Sequence, residues 1–212
     1  MAWQAKTTGG YTTGSAESIA NAVAIYQELT ALGFGYNAIC AILGNIGYES
    51  GYNPWRWQMV GGSDYVVSTW ETYYINNQTG HAYGLLQFDP AGRYINNATA
   101  QGYPQYGPNF ADQPGLATDG SAQLKWMDAV DCQPYPGNGA YIPTSSYPLS
   151  YSAFKTSTSG VSYLTAAWEY NYERGTWNNL RDTYAQYWFN NLINYIGNTI
   201  PVWMYFKFKG RG

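Results

Sequence analysis

The chemistry in this chain is best sought at Glu49, near the end of the stretch ICAILGNIGYESGYNP at residues 39–54. Ile39, Ile42, Leu43 and Ile46 fall at i, i+3, i+4 and i+7, a spacing that predicts a helix with one apolar face. No charge interrupts that helix before Glu49, so it is expected to be buried, and Gly51, Asn53 and Pro54 then stop it. A single carboxylate is thereby placed in the last turn of an apolar helix, where the chain leaves the core. Partial desolvation and the negative end of the helix dipole both disfavour its ionised form. A carboxylic acid that keeps its proton near neutral pH can protonate a leaving oxygen. The bland alternative is a helix-end glutamate pointing into water, and its company has to decide between the two.

The elements that must position Glu49 follow from periodicity. Ser15 is a fitting N-cap for a helix through Leu32, with Ile19, Ala22, Val23, Tyr26 and Leu29 as its core stripe. Gly33 and Gly35 end it, so it and the Glu49 helix are expected to pair as a hairpin. Residues 55–81 read as loop, with a weak β-hairpin signal over 65–69 and 72–75. Further helices are expected to begin near Pro90, over 121–130, over 161–173 (Val161, Leu164, Trp168 and Tyr172 aligned) and over 176–196 (Trp177, Leu180, Tyr184, Trp188, Leu192 and Ile196 aligned). Residues 101–120 and 133–160 read as irregular. Long loops between helices are commonly functional, and here they could wall a groove.

Composition narrows the function classes. Of 212 residues only 11% are charged, against 18% aromatic with 23 Tyr and 9 Trp. Disordered chains show the reverse, so a folded core is expected. A surface of Tyr, Trp, Asn, Gly and Ser is polar without charge and suits sugar rings; equally, tyrosine can simply fill half-buried sites. The net charge is −3, and basic residues gather only at Lys207, Lys209 and Arg211, which disfavours nucleic-acid binding. No apolar run approaches the ~20 residues of a membrane span, and the polar N-terminus lacks a signal-peptide pattern. Cys40 and Cys132 could pair, although Cys40 on the apolar helix reads better as a small buried hydrophobe. One His and two Cys, with no metal-binding motif, leave no expected metal or cofactor.

Three blocks recur together in order: Gly44-Asn45…Glu49-Ser50…Asn53-Pro54, then Tyr83-Gly84-Leu85-Leu86-Gln87-Phe88-Asp89-Pro90, then Asn171-Tyr172-Glu173-Arg174. An ES pair followed by a GLxQ turn resembles soluble lytic transglycosylases and goose-type lysozymes. The three blocks together are most similar to the phage tail lysozyme family. The resemblance spans roughly residues 15–196 and implies a mainly α, α+β lysozyme-like fold, a helical body whose loops line a glycan groove. Read along its length, the chain is expected to divide into a flexible lead-in at 1–14, a lysozyme-like catalytic domain at 15–200, and a tail or strand at 201–212 that could contact another domain or subunit or be the boundary of a longer chain. The resemblance also implies that Glu49 is the general acid and that the substrate is the glycan strand of peptidoglycan, with phage tail proteins as possible partners and the virion as location.

Residue chemistry adds substrate-binding candidates. Gly84, beside Tyr83, would let backbone approach a sugar, and Gln87 can donate and accept at once. Tyr83, Phe88, Trp55 and Trp57 are candidates for stacking, with core packing as the alternative for each. Ser50 and Tyr172 join the substrate-binding set, whereas Glu173 reads better as a structural partner of Arg174 or Arg181. A second carboxylate is open among Asp89, Glu71 and Asp64, since retaining and inverting glycosidases need it ~5–5.5 or ~6.5–9.5 Å away. A lytic transglycosylase needs none, because the substrate's own N-acetyl group assists. Three readings therefore compete: a muramidase (or a transglycosylase on the same bond), a non-catalytic glycan-binding or structural tail module, and a wall peptidase or amidase. The last needs a nucleophile, and Cys40 with His81 is a poor pair for it.

Overall fold

A computed structural model of the chain describes residues 3–6, 9–58, 81–100, 119–133 and 139–197. Within them the protein is helical: α1 (Ala16–Ala31), α2 (Tyr36–Glu49), α3 (Ala91–Ala100), α4 (Asp119–Trp126), α5 (Tyr151–Thr156), α6 (Val161–Trp168) and α7 (Asn179–Tyr195). Two π-turns, Met127–Asp131 and Glu169–Glu173, extend α4 and α6. Isolated bridges Trp57–Tyr83 and Tyr83–Phe88 are the β-structure seen among the described residues. This is the expected mainly helical, lysozyme-like body. The hairpin signal over 65–69 and 72–75 lies outside the described residues.

The body is built around α2. Its residues from Ala38 to Ile46 are all buried, as an apolar helix without charge requires when neighbours surround it. The expected pairing with α1 exists, but α2 packs chiefly on α7 and α6. Glycine explains the preference. A Cβ on Gly44 would lie 2.5 Å from the Arg181 carbonyl and 2.6 Å from the Ala185 side chain, so α7 can approach only because position 44 has none. Burying an Ile or Leu side chain contributes about 1.5–3 kcal/mol, and Ile39, Ile42, Leu43 and Ile46 are all at or below 1% exposure.

Helix ends follow the sequence in part. The Ser15 hydroxyl caps α1 by accepting from the Ser18 amide at 3.2 Å. α7 starts later than periodicity suggested, because the Asn178 side chain caps it at the Leu180 amide and leaves Trp177 outside. α5 was not anticipated in a stretch read as irregular; Ser150 caps it and Phe154 anchors it in the core. Residues of the N-terminal lead-in are tied to the body. Trp3 is buried, Gln4 exchanges two hydrogen bonds with the Asn21 side chain at 2.7 Å each, and Asn53 Nδ2 donates to the Lys6 and Gly9 carbonyls at 2.8 Å.

Candidate active site

Glu49 is the last residue of α2. The helix stops there because Gly51 (φ +55°) and Tyr52 (φ +62°) turn left-handed, while Ser50 N–H and Oγ both bond the Ile46 carbonyl. Ser50 is thus buried and engaged with the helix end. The Glu49 side chain is 20% exposed and accepts a hydrogen bond from Arg181 Nη2. Arg181, buried at the start of α7, also donates from Nη1 to Asn45 Oδ1 at 2.9 Å. Its Nε lies 2.8 Å from Glu169 Oε2, and its guanidinium sits over the Tyr48 ring at 4.3 Å. Asn45 is itself fixed by bonds to the Ala41 and Thr165 carbonyls. The Gly44-Asn45 pair therefore acts through Arg181: glycine lets α7 approach, and asparagine orients the guanidinium toward Glu49.

Two further acids face this guanidinium. Glu169 and Glu173, at i and i+4 around the π-turn, project from α6 toward α2 and α7. The Glu169 side chain is fully buried and, among the described residues, neither carboxylate oxygen has a hydrogen-bond partner; the Arg181 contact is an ion pair by distance only. Glu173 Oε1 accepts from Trp168 Nε1 at 3.1 Å. Burial pushes the Glu169 carboxyl up to about 7, with Arg181 opposing and the Glu49 charge assisting. Glu173 is held well above the usual carboxylate range, by burial first and the Glu49 charge second, against the pull of Arg181. Glu173 is half-buried by surface, yet its carboxyl is densely surrounded by protein. Both buried acids are pushed up beside a single cation, so the Glu169 and Glu173 pair favours keeping a proton. Glu173 is hydrogen-bonded to Trp168 and interacts by charge with Arg181, one of the two arginines expected as its partner. Arg174 instead bonds the Ala140 carbonyl.

The other expected residues are dispersed. Tyr83, Phe88, Trp55 and Trp57 are all at or below 3% exposure. Tyr83 packs on Trp57 at 4.7 Å, and Phe88 on Tyr94 at 5.0 Å and Trp126 at 5.2 Å, so neighbouring rings cover those faces. Gln87 Nε2 donates to the Arg56 and Gly84 carbonyls at 2.9 Å, holding the 84–88 turn. Gly84 has φ +87°, and a Cβ there would sit 2.4 Å from Gln123 Oε1, which accepts from the Leu85 amide. Its glycine serves that close approach of Gln123. Tyr172 is buried and donates to Asp131 Oδ2 at 2.8 Å. Asp89 is exposed beside the turn, whereas Asp64 and Glu71 lie outside the described residues. Both cysteines are free and buried, and burial pushes the Cys40 thiol up, away from a nucleophile's range.

Sequence reasoning missed Glu169. Its one signal was an acid four residues before Glu173 on an otherwise apolar helix. Arg181 entered the reasoning only as a partner for Glu173, since nothing in sequence ties it to Glu49, 132 residues away.

A buried central helix ending on an acid, within a helical body, defines a lysozyme-like architecture. A family model described as phage tail lysozyme matches residues 20–192, and the chain belongs to that family. Morphogenesis protein 1 of Bacillus phage B103 is 30% identical over 182 residues, covering 83% of this chain and 40% of that protein. The chain is thus a phage lysozyme-like protein that matches well under half the length of this relative. No described helix is long and apolar enough to cross a membrane.

Proposed function

We propose that the chain is a peptidoglycan glycosidase, an N-acetylmuramidase whose general acid is Glu49. The observation that carries this reading is the cluster of Glu49, Glu169 and Glu173 around Arg181. Within it, Glu169 is fully enclosed and Glu173 is engaged with Trp168. Glu49 ends the helix and reaches solvent, so it is the member that can meet a glycosidic oxygen. A cluster that retains a proton near neutral pH can deliver one to the departing oxygen through Glu49. The carboxylate left behind is stabilised by Arg181, and water completes the cleavage at the anomeric carbon, aided by Asp89, Asp64 or Glu71 as second carboxylate.

The family points to wall penetration by a phage particle, with the tail as location and tail proteins as neighbours. A digest of purified peptidoglycan by the wild type and by Glu49→Gln, with products resolved by mass, tests the reading. Reducing-end muramic acid products from the wild type alone support it. Anhydro-sugar products would assign a lytic transglycosylase on the same bond. The related phage protein is named for morphogenesis, and equal inactivity of both proteins would favour a glycan-binding or structural tail module.

A further inference from the structure

A second surface lies on the side of α6 opposite its core stripe. Val161, Leu164, Trp168 and Tyr172 face inward, whereas Tyr163 and Tyr170 face out, each 37% exposed. Half-buried Tyr147 leans over both. Its ring lies parallel to Tyr170 (5.3 Å, 10°) and tilted against Tyr163 (5.3 Å, 49°). The rings around Gly84 enclose one another; these three stand as an open staircase. Among the described residues, none of the three phenols is hydrogen-bonded. Glu169, the residue before Tyr170, turns inward to Arg181, so the helix itself separates this surface from the acids.

The surface is preformed. Asn171, fully buried in the π-turn, ties the segment before α5 to the helix. Its Nδ2 donates to the Tyr147 carbonyl at 2.9 Å and to the Tyr141 hydroxyl at 3.2 Å. Its Oδ1 accepts from the Thr144 amide at 2.9 Å, and its carbonyl accepts from the Ile142 amide at 2.8 Å. Tyr147 is therefore held over Tyr170 before any ligand arrives, which lowers the entropic cost of binding. A π-turn inside a helix is itself a frequent mark of a functional site.

Charge decides the occupant. No residue from Cys132 to Phe154 is charged, nor any from Thr156 to Trp168. A nucleic acid would need cations, and a charged peptide would find no counter-charge. What the surface offers is ring faces bordered by hydroxyls, with Ser145 and Ser146 exposed beside Tyr147. A pyranose offers the complement, an apolar C–H face edged by hydroxyls. We propose that the Tyr147–Tyr163–Tyr170 surface is a glycan-anchoring site, which holds a neutral stretch of wall polysaccharide apart from the acid cluster and keeps the protein on insoluble wall. The proposal takes the identity of the polymer from the glycan-cleaving reading and is independent of the role of Glu49.

The test separates anchoring from cleavage. Retention of Glu49→Gln protein, which leaves the wall intact, is measured by sedimentation with insoluble peptidoglycan. Adding Tyr163→Ala and Tyr170→Ala together is expected to weaken retention about tenfold, one stacking contact being lost at each ring. In the otherwise wild-type chain the same pair should leave cleavage of a short soluble glycan oligosaccharide unchanged. Tyr170→Leu keeps the apolar bulk without the ring face. It should weaken retention about threefold with an unchanged thermal melt, and it decides the matter if the double variant does not fold. No retention of the parent protein, or unchanged retention in Tyr170→Leu, overturns the proposal and leaves the rings to a protein neighbour. Equal losses on the wall and on the oligosaccharide also overturn it, by placing the rings in the cleft. If the wild type cleaves neither substrate while Tyr170→Leu still weakens retention, the anchoring site stands and the role of Glu49 falls.

Discussion

Two acid–arginine clusters flank α6, and they are built to opposite rules. Around Asp131, among the described residues, one acid meets one cation. Asp131 Oδ1 accepts from Arg93 Nε at 3.0 Å and Nη2 at 2.6 Å, and Oδ2 accepts from Nη2 at 2.7 Å and from the Tyr172 hydroxyl at 2.8 Å. Its lone pairs are occupied and its charge is balanced. Around Arg181, among the same residues, three acids meet one cation, and the enclosed Glu169 has no hydrogen bond on either oxygen. A satisfied, balanced pair fixes two elements together. An unbalanced buried set favours holding a proton, which makes it the candidate proton donor of the two.

The largest effects should fall on opposite properties of the two clusters. Glu49→Gln is expected to lower glycan cleavage by about 10²–10⁴-fold, the usual contribution of a general acid, with its melting temperature nearly unchanged. Arg93→Met should do the reverse. It leaves Asp131, whose side chain is 6% exposed, without its cation, at a cost of about 3 kcal/mol, the low end for a broken buried pair because Arg93 is 36% exposed. Denaturation curves and cleavage rates on the two variants check this. Loss of stability in Glu49→Gln comparable to that in Arg93→Met would make both clusters structural.

The pH dependence of stability separates the clusters next. The Glu169 carboxyl is raised in the folded chain from 4.5 to about 7. The folded state therefore keeps a proton that the unfolded chain has already released. Its stabilising contribution is complete below about pH 4.5 and is lost as pH rises through about 7, by up to about 3 kcal/mol for a shift of that size. Glu173, raised by burial as well, acts in the same direction. Denaturant unfolding between pH 4 and 8 should fall more steeply for the wild type than for Glu169→Gln. Identical slopes would show Glu169 ionised throughout, paired with Arg181 as Asp131 is with Arg93.

What the sequence revealed follows from how far apart the interacting residues lie. The course of α2, its end at Glu49 and the stripe Val161, Leu164, Trp168 and Tyr172 were legible, because periodicity and breakers act over a few residues. The placing of a lone acid, Glu49, at the end of an apolar helix was legible too. Arg181 beside it was not: its placement depends on Gly44 admitting α7, a contact 137 residues apart. The aromatic residues around the Gly84 turn misled for a related reason. Tyr83, Phe88 and Trp57 have the composition of a sugar platform, but composition does not say which ring faces another ring takes. The N-terminal segment offered no periodicity at all, and its place is set by backbone contacts at Gly10 and Gly51.

The smallest expected effect bears on Tyr172, which motif logic placed on the substrate. Tyr172→Phe removes one hydrogen bond to Asp131 and leaves the ring packed against Trp168 at 4.5 Å. Asp131 keeps Arg93, so the loss is that of one bond to a charged acceptor, about 1.5 kcal/mol of stability. A tyrosine that touched the glycan would instead raise KM or lower kcat while leaving the denaturation midpoint in place. The buried hydroxyl predicts the opposite pattern: a lower midpoint, with KM and kcat unchanged wherever the variant is folded. Tyr172 lies one residue before Glu173, so this substitution tests directly where the balanced cluster ends and the proton-holding one begins.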